Sequence, residues 1–182
     1  MHGLIHIELE RFGRAALGDE TWAQVARDAG VGGKVYLSSA GYDDGEVLAL
    51  VVAASKAAGS GPQALLEQFG EALVPTLLTT FGDLIHAEWR TLDLIANTEE
   101  LIHTALRASD PSAQPPLLRT TPRPPDSLVV LYGSERRMCG VAKGIIRGVA
   151  THYGETVEVT EESCMLVGDS VCSIVVHRVA AD

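Results

Sequence analysis

Six of the chain's eight prolines fall between Asp110 and Asp126: Pro111, Pro115, Pro116, Pro122, Pro124 and Pro125. Each fixes its own φ, removes a backbone donor and pushes the preceding residue out of the helical region. No helix and no interior strand can cross such a stretch, so the fold must be assembled from two parts joined by an extended connection. The two parts are patterned differently. Before the connection, apolar residues recur at three- and four-residue spacing, as at Leu4, Ile5, Leu9, Phe12 and Ala16, which predicts helices. After it, residues 128–132 are a β-type run, residues 156–161 alternate, and residues 165–167 and 171–176 flank Gly168-Asp169, a hairpin signal. Between these strands Val141, Ala142, Ile145, Ile146 and Val149 share one helical face, and Ser134 is a candidate cap for that helix. The prediction is one α+β domain. It has a helical lobe over residues 1–109, a Pro-rich connection over 110–126, and a β-α-β-β lobe with an antiparallel sheet over 127–182. Inside the helical lobe Pro75 predicts a kink or a break, and Phe81-Gly82 an interruption.

Charge narrows the function classes. With 24 Asp+Glu against 14 Lys+Arg the net charge is −10, the wrong sign for general binding to nucleic acid or to an anionic membrane. No apolar run reaches the roughly 18 residues of a spanning helix. The N-terminus lacks the basic region and cleavage site of a signal peptide, so the expectation is a cytoplasmic protein. There is no phosphate-binding loop, dinucleotide fingerprint or nucleophile elbow. No catalytic residue is assigned, and the chain is not expected to be an enzyme.

Two constellations carry chemistry. His103 lies on the apolar stripe Leu92, Ile95, Ala96, Ile102, Leu106. A histidine so placed suits a plain core residue, or an axial haem ligand that offers a neutral imidazole nitrogen to iron. Tyr132, Ser134 and Arg136 are spaced by two; in an extended segment they face one side, with a phenol, a hydroxyl and a guanidinium fork. That set suits a pair of carboxylates such as the haem propionates. The plainer alternative is strand packing, a helix cap and a solvated charge. Glu99-Glu100 and Asp43-Asp44 read as helix N-terminal charges, and His86 beside Trp89 as surface or lobe packing.

Taken together, the sequence resembles the haem nitric oxide/oxygen-binding (H-NOX) family, whose fold also forms the haem domain of soluble guanylate cyclase. The resemblance spans the opening Met1-His2-Gly3-Leu4-Ile5, the stretch Glu99-Glu100-Leu101-Ile102-His103, the pair Pro115-Pro116, the motif Tyr132-Gly133-Ser134-Glu135-Arg136 and the β-α-β-β ending. It implies a haem b cofactor, with His103 on the iron and Tyr132, Ser134 and Arg136 on the propionates. It implies that Pro116 presses on the porphyrin, that Ile5 and Leu9 cover the distal side, and that Leu77, Leu78, Val141 and Ile145, with Val74, line the pocket. Members that hold O₂ stably use a distal tyrosine where this chain has Val141, so the resemblance implies a nitric oxide sensor. His6 and Tyr42 are other possible donors, although His6 is expected to face away from Ile5 into solvent. In the implied mechanism NO loosens the iron–His103 bond and the lobes shift. The resemblance implies that one sensor domain takes up the 182 residues. The output would then pass in trans to a histidine kinase or a cyclic-di-GMP enzyme, as in bacterial members of this size.

Cys139, Cys164 and Cys172 are an odd number for a disulfide framework. The hairpin signal sets Cys164 and Cys172 side by side and Cys139 near the same sheet. Three thiolates and a fourth ligand could hold zinc, and some H-NOX proteins carry such a site. Glu161 is nearest in sequence, but in a regular strand it faces away from Cys164; Glu162, His152 and His177 are alternatives. Otherwise these are three small buried thiols. The alternative function is a haem-free zinc/thiol redox-sensing module on the same fold.

Overall fold

The computed structural model describes residues 1–111 and 113–180. Helices α1 (Gly3–Leu17), α2 (Asp19–Asp28), α3 (Asp44–Ala58) and α4 (Pro62–Phe81) build the first lobe. Their ends follow local chemistry. Asp43 caps α3 by accepting from Gly45 N at 2.7 Å, Gly59 ends it in the left-handed region at φ 64°, and Pro62 opens α4 where a backbone donor would lack a partner. Trp22, Val47, Leu50, Leu65, Phe69 and Leu73 meet in the core of this lobe. Of the kink or break expected at Pro75, the break does not occur, and α4 runs through it. Pro75 forfeits one intrahelical bond, but the buried Leu73 and Val74 beside it hold the turn in place.

After a 3₁₀ turn (Gly82–Leu84), α5 (Thr91–Asn97), a π-helical turn (Thr98–His103) and α6 (Thr104–Ser109) follow one another without a gap. The second lobe is an antiparallel sheet in the order β1-β2-β4-β3. Its strands are β1 (Leu117–Arg123), β2 (Ser127–Gly133), β3 (Thr156–Ser163) and β4 (Cys172–Val179), with α7 (Cys139–His152) between β2 and β3. Leu128, Val130 and Tyr132 of β2 and Cys172, Ile174 and Val176 of β4 alternate onto the buried face, where Ile146 of α7 and Ile95 of α5 meet them.

Three sequence expectations change here. The lobe is β-β-α-β-β, because residues 117–123 pair with β2 and do not belong to the connection, which contracts to residues 110–116. Pro122 is compatible with β1 because β1 is an edge strand, with one side free of ladder bonds. Gly168-Asp169 is not a two-residue hairpin. Residues 164–171 join β3 to β4, with Gly168 at φ 111° and Asp169 accepting from Cys164 N at 2.8 Å. Ser134 does not cap α7, which begins after Met138; its hydroxyl accepts from Arg136 N at 3.3 Å.

The two lobes meet where α7 lies against α4. A Cβ on Gly144 would fall 1.9 Å from the Glu67 carbonyl oxygen, and one on Gly70 2.3 Å from that of Val141. Only glycine permits that approach. Glu67 accepts from Arg147 and pairs with Lys143 at 3.0 Å across the same crossing.

His6, expected in solvent, is fully buried. It stacks on Tyr36 at 4.3 Å between centroids and sits 5.2 Å from Tyr42, and neither ring nitrogen has a hydrogen-bond partner. Burial lowers its pKa below 6.5, outweighing the nearby His2 carbonyl. The unfolded chain therefore takes up the His6 proton first as pH falls, and stability drops below pH 6.5. His6→Phe keeps the stacking and removes two orphaned nitrogens. It should stabilise the protein by about 1 kcal/mol at neutral pH, with a gain that grows in mild acid. Urea denaturation at about pH 7.5 and about pH 5.5 reads this; an equal or lower midpoint at both would refute it.

Candidate functional site

Glu99, His103 and Arg107 are set four residues apart along the π-helical turn and α6. The His103 side chain is 12% exposed, with Nδ1 2.9 Å from Glu99 Oε2. Oε2 also accepts from Leu118 N at 3.1 Å, and Oε1 accepts from Arg107 Nη2 at 2.8 Å. Burial opposes the charge on Glu99, but its three partners outweigh it and hold the carboxyl below its usual pKa. An ionised carboxylate has no proton to give, so Nδ1 carries the hydrogen and Nε2 keeps its lone pair. Burial lowers the His103 pKa as well, against Glu99 and the Pro116 carbonyl, and the ring is neutral at pH 7. Glu99 is therefore not a helix N-terminal charge. It sits inside a helical run, and the acid–histidine spacing of four is the sequence signal that would have found it. The π-turn is a local widening of the helix of the kind often met at functional sites.

The segment around Pro116 gathers the other residues. Arg136 Nη1 donates to the Gln114 carbonyl at 2.5 Å, and Leu118 pairs with Tyr132 across β1 and β2 while its N–H reaches Glu99. Tyr132 is buried, which pushes its phenol up, with Ser134 and the Met138 backbone beside it. The extended geometry stops at Gly133, and residues 134–137 form a turn in which Arg137 has φ 51°. Tyr132, Ser134 and Arg136 are thus neighbours through a turn, not along a strand. The Arg136 side chain is 14% exposed. Its Nε lies 2.8 Å from Asp44 Oδ2, yet the buried Nε–H is aligned with no acceptor. Asp44, read from sequence as a helix charge, also accepts from the Met1 amino group at 2.6 Å.

Ile5, Leu77, Leu78, Val141, Ile145 and Pro116 are only half-buried, whereas Leu9 and Val74 are core residues. Leu9 lines a cavity of about 200 Å³ with Phe12, Trp22 and Leu65, and no other residue assigned to the haem lines it. A neutral imidazole nitrogen, half-buried apolar side chains and a guanidinium fork that already holds one carboxylate, Asp44, form a donor set that fits haem. The family description Haem-NO-binding matches residues 2–161. This chain belongs to that family.

It is an H-NOX domain, from a family of haem-based gas sensors. Its fold matches a mutant form of an H-NOX protein from S. oneidensis in the Fe(II) state with TM-score 0.92 and 21% identity, covering 100% of this chain and 98% of that one. The S. oneidensis protein in the Fe(II)NO state matches with TM-score 0.91 and 22% identity over 99% and 100%. Unliganded Fe(II) H-NOX from K. algicida matches with TM-score 0.89 and 21% identity over 100% and 98%. No curated protein sequence matches the chain significantly.

The H-NOX domain holds a second cluster. Cys139 opens α7, Cys164 follows β3 and Cys172 opens β4; the sulfurs of Cys139 and Cys172 each lie 3.9 Å from that of Cys164. With an oxygen of Glu161, the four ligand atoms lie within 4.8 Å of one another. A register shift between Glu161 and Ser163 breaks the strand alternation that would turn Glu161 away. Among the described residues the other fourth-ligand candidates, Glu162, His177 and His152, do not join this group; Glu161 does, while also pairing with Lys143 at 3.4 Å. Burial raises the Cys139 and Cys172 thiols, so a cation is what would ionise them. His86 is exposed beside Trp89.

Proposed function

We propose that this H-NOX domain binds nitric oxide at ferrous haem b and signals to a partner protein in trans, a histidine kinase or a cyclic-di-GMP enzyme. The observation that carries the reading is His103: 12% exposed, with burial lowering its pKa and Nδ1 held against Glu99 Oε2, which leaves Nε2 its lone pair. His103 would ligate the iron, Tyr132, Ser134 and Arg136 would hold the propionates, and Pro116 would press on the ring. Ile5, Leu9, Leu77, Leu78, Val141 and Ile145 would exclude water. When bound, haem supplies the NO site and a bond to His103 that NO weakens. The chain's own residues do the rest. His103 is tied to Glu99 and Glu99 to Leu118, so a movement of the π-turn would reach β1. Val141 offers no hydroxyl, which favours NO over O₂. The domain has no catalytic role in this scheme. Among the described residues no helix is long and apolar enough to cross a membrane.

The thiol cluster supports zinc held by Cys139, Cys164, Cys172 and Glu161, and with it the second reading, a haem-free zinc/thiol redox module. One sample decides. The visible spectrum of reconstituted ferrous protein should show a Soret band that NO shifts and O₂ does not, and metal analysis should give one zinc per chain, lost in Cys139→Ser. Colourless protein that takes up no haem but retains zinc would overturn the sensor reading in favour of the redox module.

A further inference from the structure

We propose that Glu99 is a positioning residue for the proximal histidine: its carboxylate holds the Nδ1 proton of His103 and sets how strongly Nε2 donates to iron. The inference rests on the reading of His103 as the haem ligand. The geometry is specific. Glu99 Oε2 is shared between His103 Nδ1 at 2.9 Å and Leu118 N at 3.1 Å, so one oxygen ties the ligand ring to the first residues of β1. Oε1 is turned outward onto Arg107 at 2.8 Å. The His103 and Glu99 side chains are 12% and 27% exposed, so the pair is largely sheltered from solvent screening.

An imidazole whose far N–H bonds to an anion has a more electron-rich near nitrogen than one bonded to a neutral carbonyl. Here that makes the iron–His103 bond stronger and favours ferric over ferrous iron. It also sets the threshold that NO must overcome to release His103. Arg107 withdraws part of the same negative charge and acts as the counterweight. A purely structural Glu99, tying the π-turn to β1, would affect stability but would not make Glu99 and Arg107 act in opposite senses on the iron.

The test uses the full chain reconstituted with haem, and reads the ferrous iron–histidine stretch by resonance Raman and the ferric/ferrous midpoint potential. Glu99→Gln keeps a side chain of the same size and removes the charge. It should move the stretch to lower frequency and raise the potential enough for at least a tenfold change in the ferric-to-ferrous ratio, about 59 mV for a one-electron couple. Arg107→Leu, at a side chain 38% exposed and outside the haem contacts, should move both readouts the other way. A wild-type stretch that neither variant moves overturns the role of Glu99 alone. A wild-type protein that binds haem without an iron–histidine stretch overturns the His103 reading, and this inference with it.

Discussion

Gly144→Val is expected to abolish cooperative folding, and Gly144→Ala to cost at least about 3 kcal/mol, a drop of roughly 6–12 °C in Tm for a domain of this size. The reason is the atom in the way. The new Cβ would lie 1.9 Å from the Glu67 carbonyl oxygen and 2.9 Å from Gly70 Cα, both backbone, so no side chain can swing aside. Relief requires α4 and α7 to separate, which strains the Glu67 pairs with Lys143 and Arg147 and opens the cores on either side. With total stability of about 5–15 kcal/mol, that is a large fraction of what holds the domain together. Gly82→Ala is the control. Its Cβ meets nothing within 4 Å and its φ of −55° is helical, so it should be neutral or gain up to about 1 kcal/mol. Thermal unfolding followed by circular dichroism compares them. A Gly144→Ala protein melting within about 2 °C of wild type, under 1 kcal/mol at this size, would mean the crossing yields cheaply.

The same crossing links the two clusters. Lys143 pairs with Glu67 of α4 at 3.0 Å and with Glu161 of the thiol cluster at 3.4 Å. A cation that drew Glu161 inward would therefore change what Lys143 can hold on α4. The Glu99 tether does the corresponding thing beside His103, joining the π-turn to β1. Each centre thus reaches the interface between lobes through a few named polar contacts.

What the sequence makes legible is what periodicity and dense punctuation encode. The proline cluster marks the change from helices to sheet but overruns it, since Pro122 lies in β1, whereas the run 128–132 and the α7 stripe are where their patterns place them. Strand β1 is hidden because its prolines look prohibitive until its edge position is known, and edge position is a property of the sheet, not of the segment. Glu161 looks excluded until a bulge changes the alternation, and a bulge leaves no mark in a run of Thr, Glu and Ser. His6 looks solvent-facing because its two partners, Tyr36 and Tyr42, come from a loop remote from α1 in sequence. Glu99 is a site residue mistaken for a helix charge, and Asp44, which does stand in the first turn of α3, has a second contact the sequence does not show. Both are acidic residues at plausible caps, and only the fold shows that one meets His103 and the other Arg136. The glycines of the crossing are legible in principle: Gly140, Gly144 and Gly148 recur every four residues on one face of α7.

His103→Gly is expected to remove the NO dependence of the output and to lock the domain in its signalling state. The substitution should spare the fold. His103 bonds to Glu99 and has the Pro116 carbonyl beside it, and Glu99 keeps Leu118 and Arg107 when the ring is gone, so the loss should be about 1–2 kcal/mol. The effect on the switch should be far larger. Moving a two-state element from almost all off to almost all on takes on the order of 10⁴-fold, about 5.5 kcal/mol. A hydrogen bond of about 1 kcal/mol cannot supply that, whereas a bond from Nε2 to iron can. Without the ring, haem-loaded protein should therefore behave without NO as wild type does with it. Hydrogen exchange across residues 98–109 and 117–123 reads the domain directly, and the activity of a kinase or cyclic-di-GMP partner reads the output. Added imidazole fills the ligand position without a covalent tie to the π-turn, so it should restore the iron spectrum and leave the exchange pattern released. If the variant instead matches unliganded wild type in exchange and output, the bond to His103 is not the element that NO acts on, and the tether through Glu99 to β1 carries no signal.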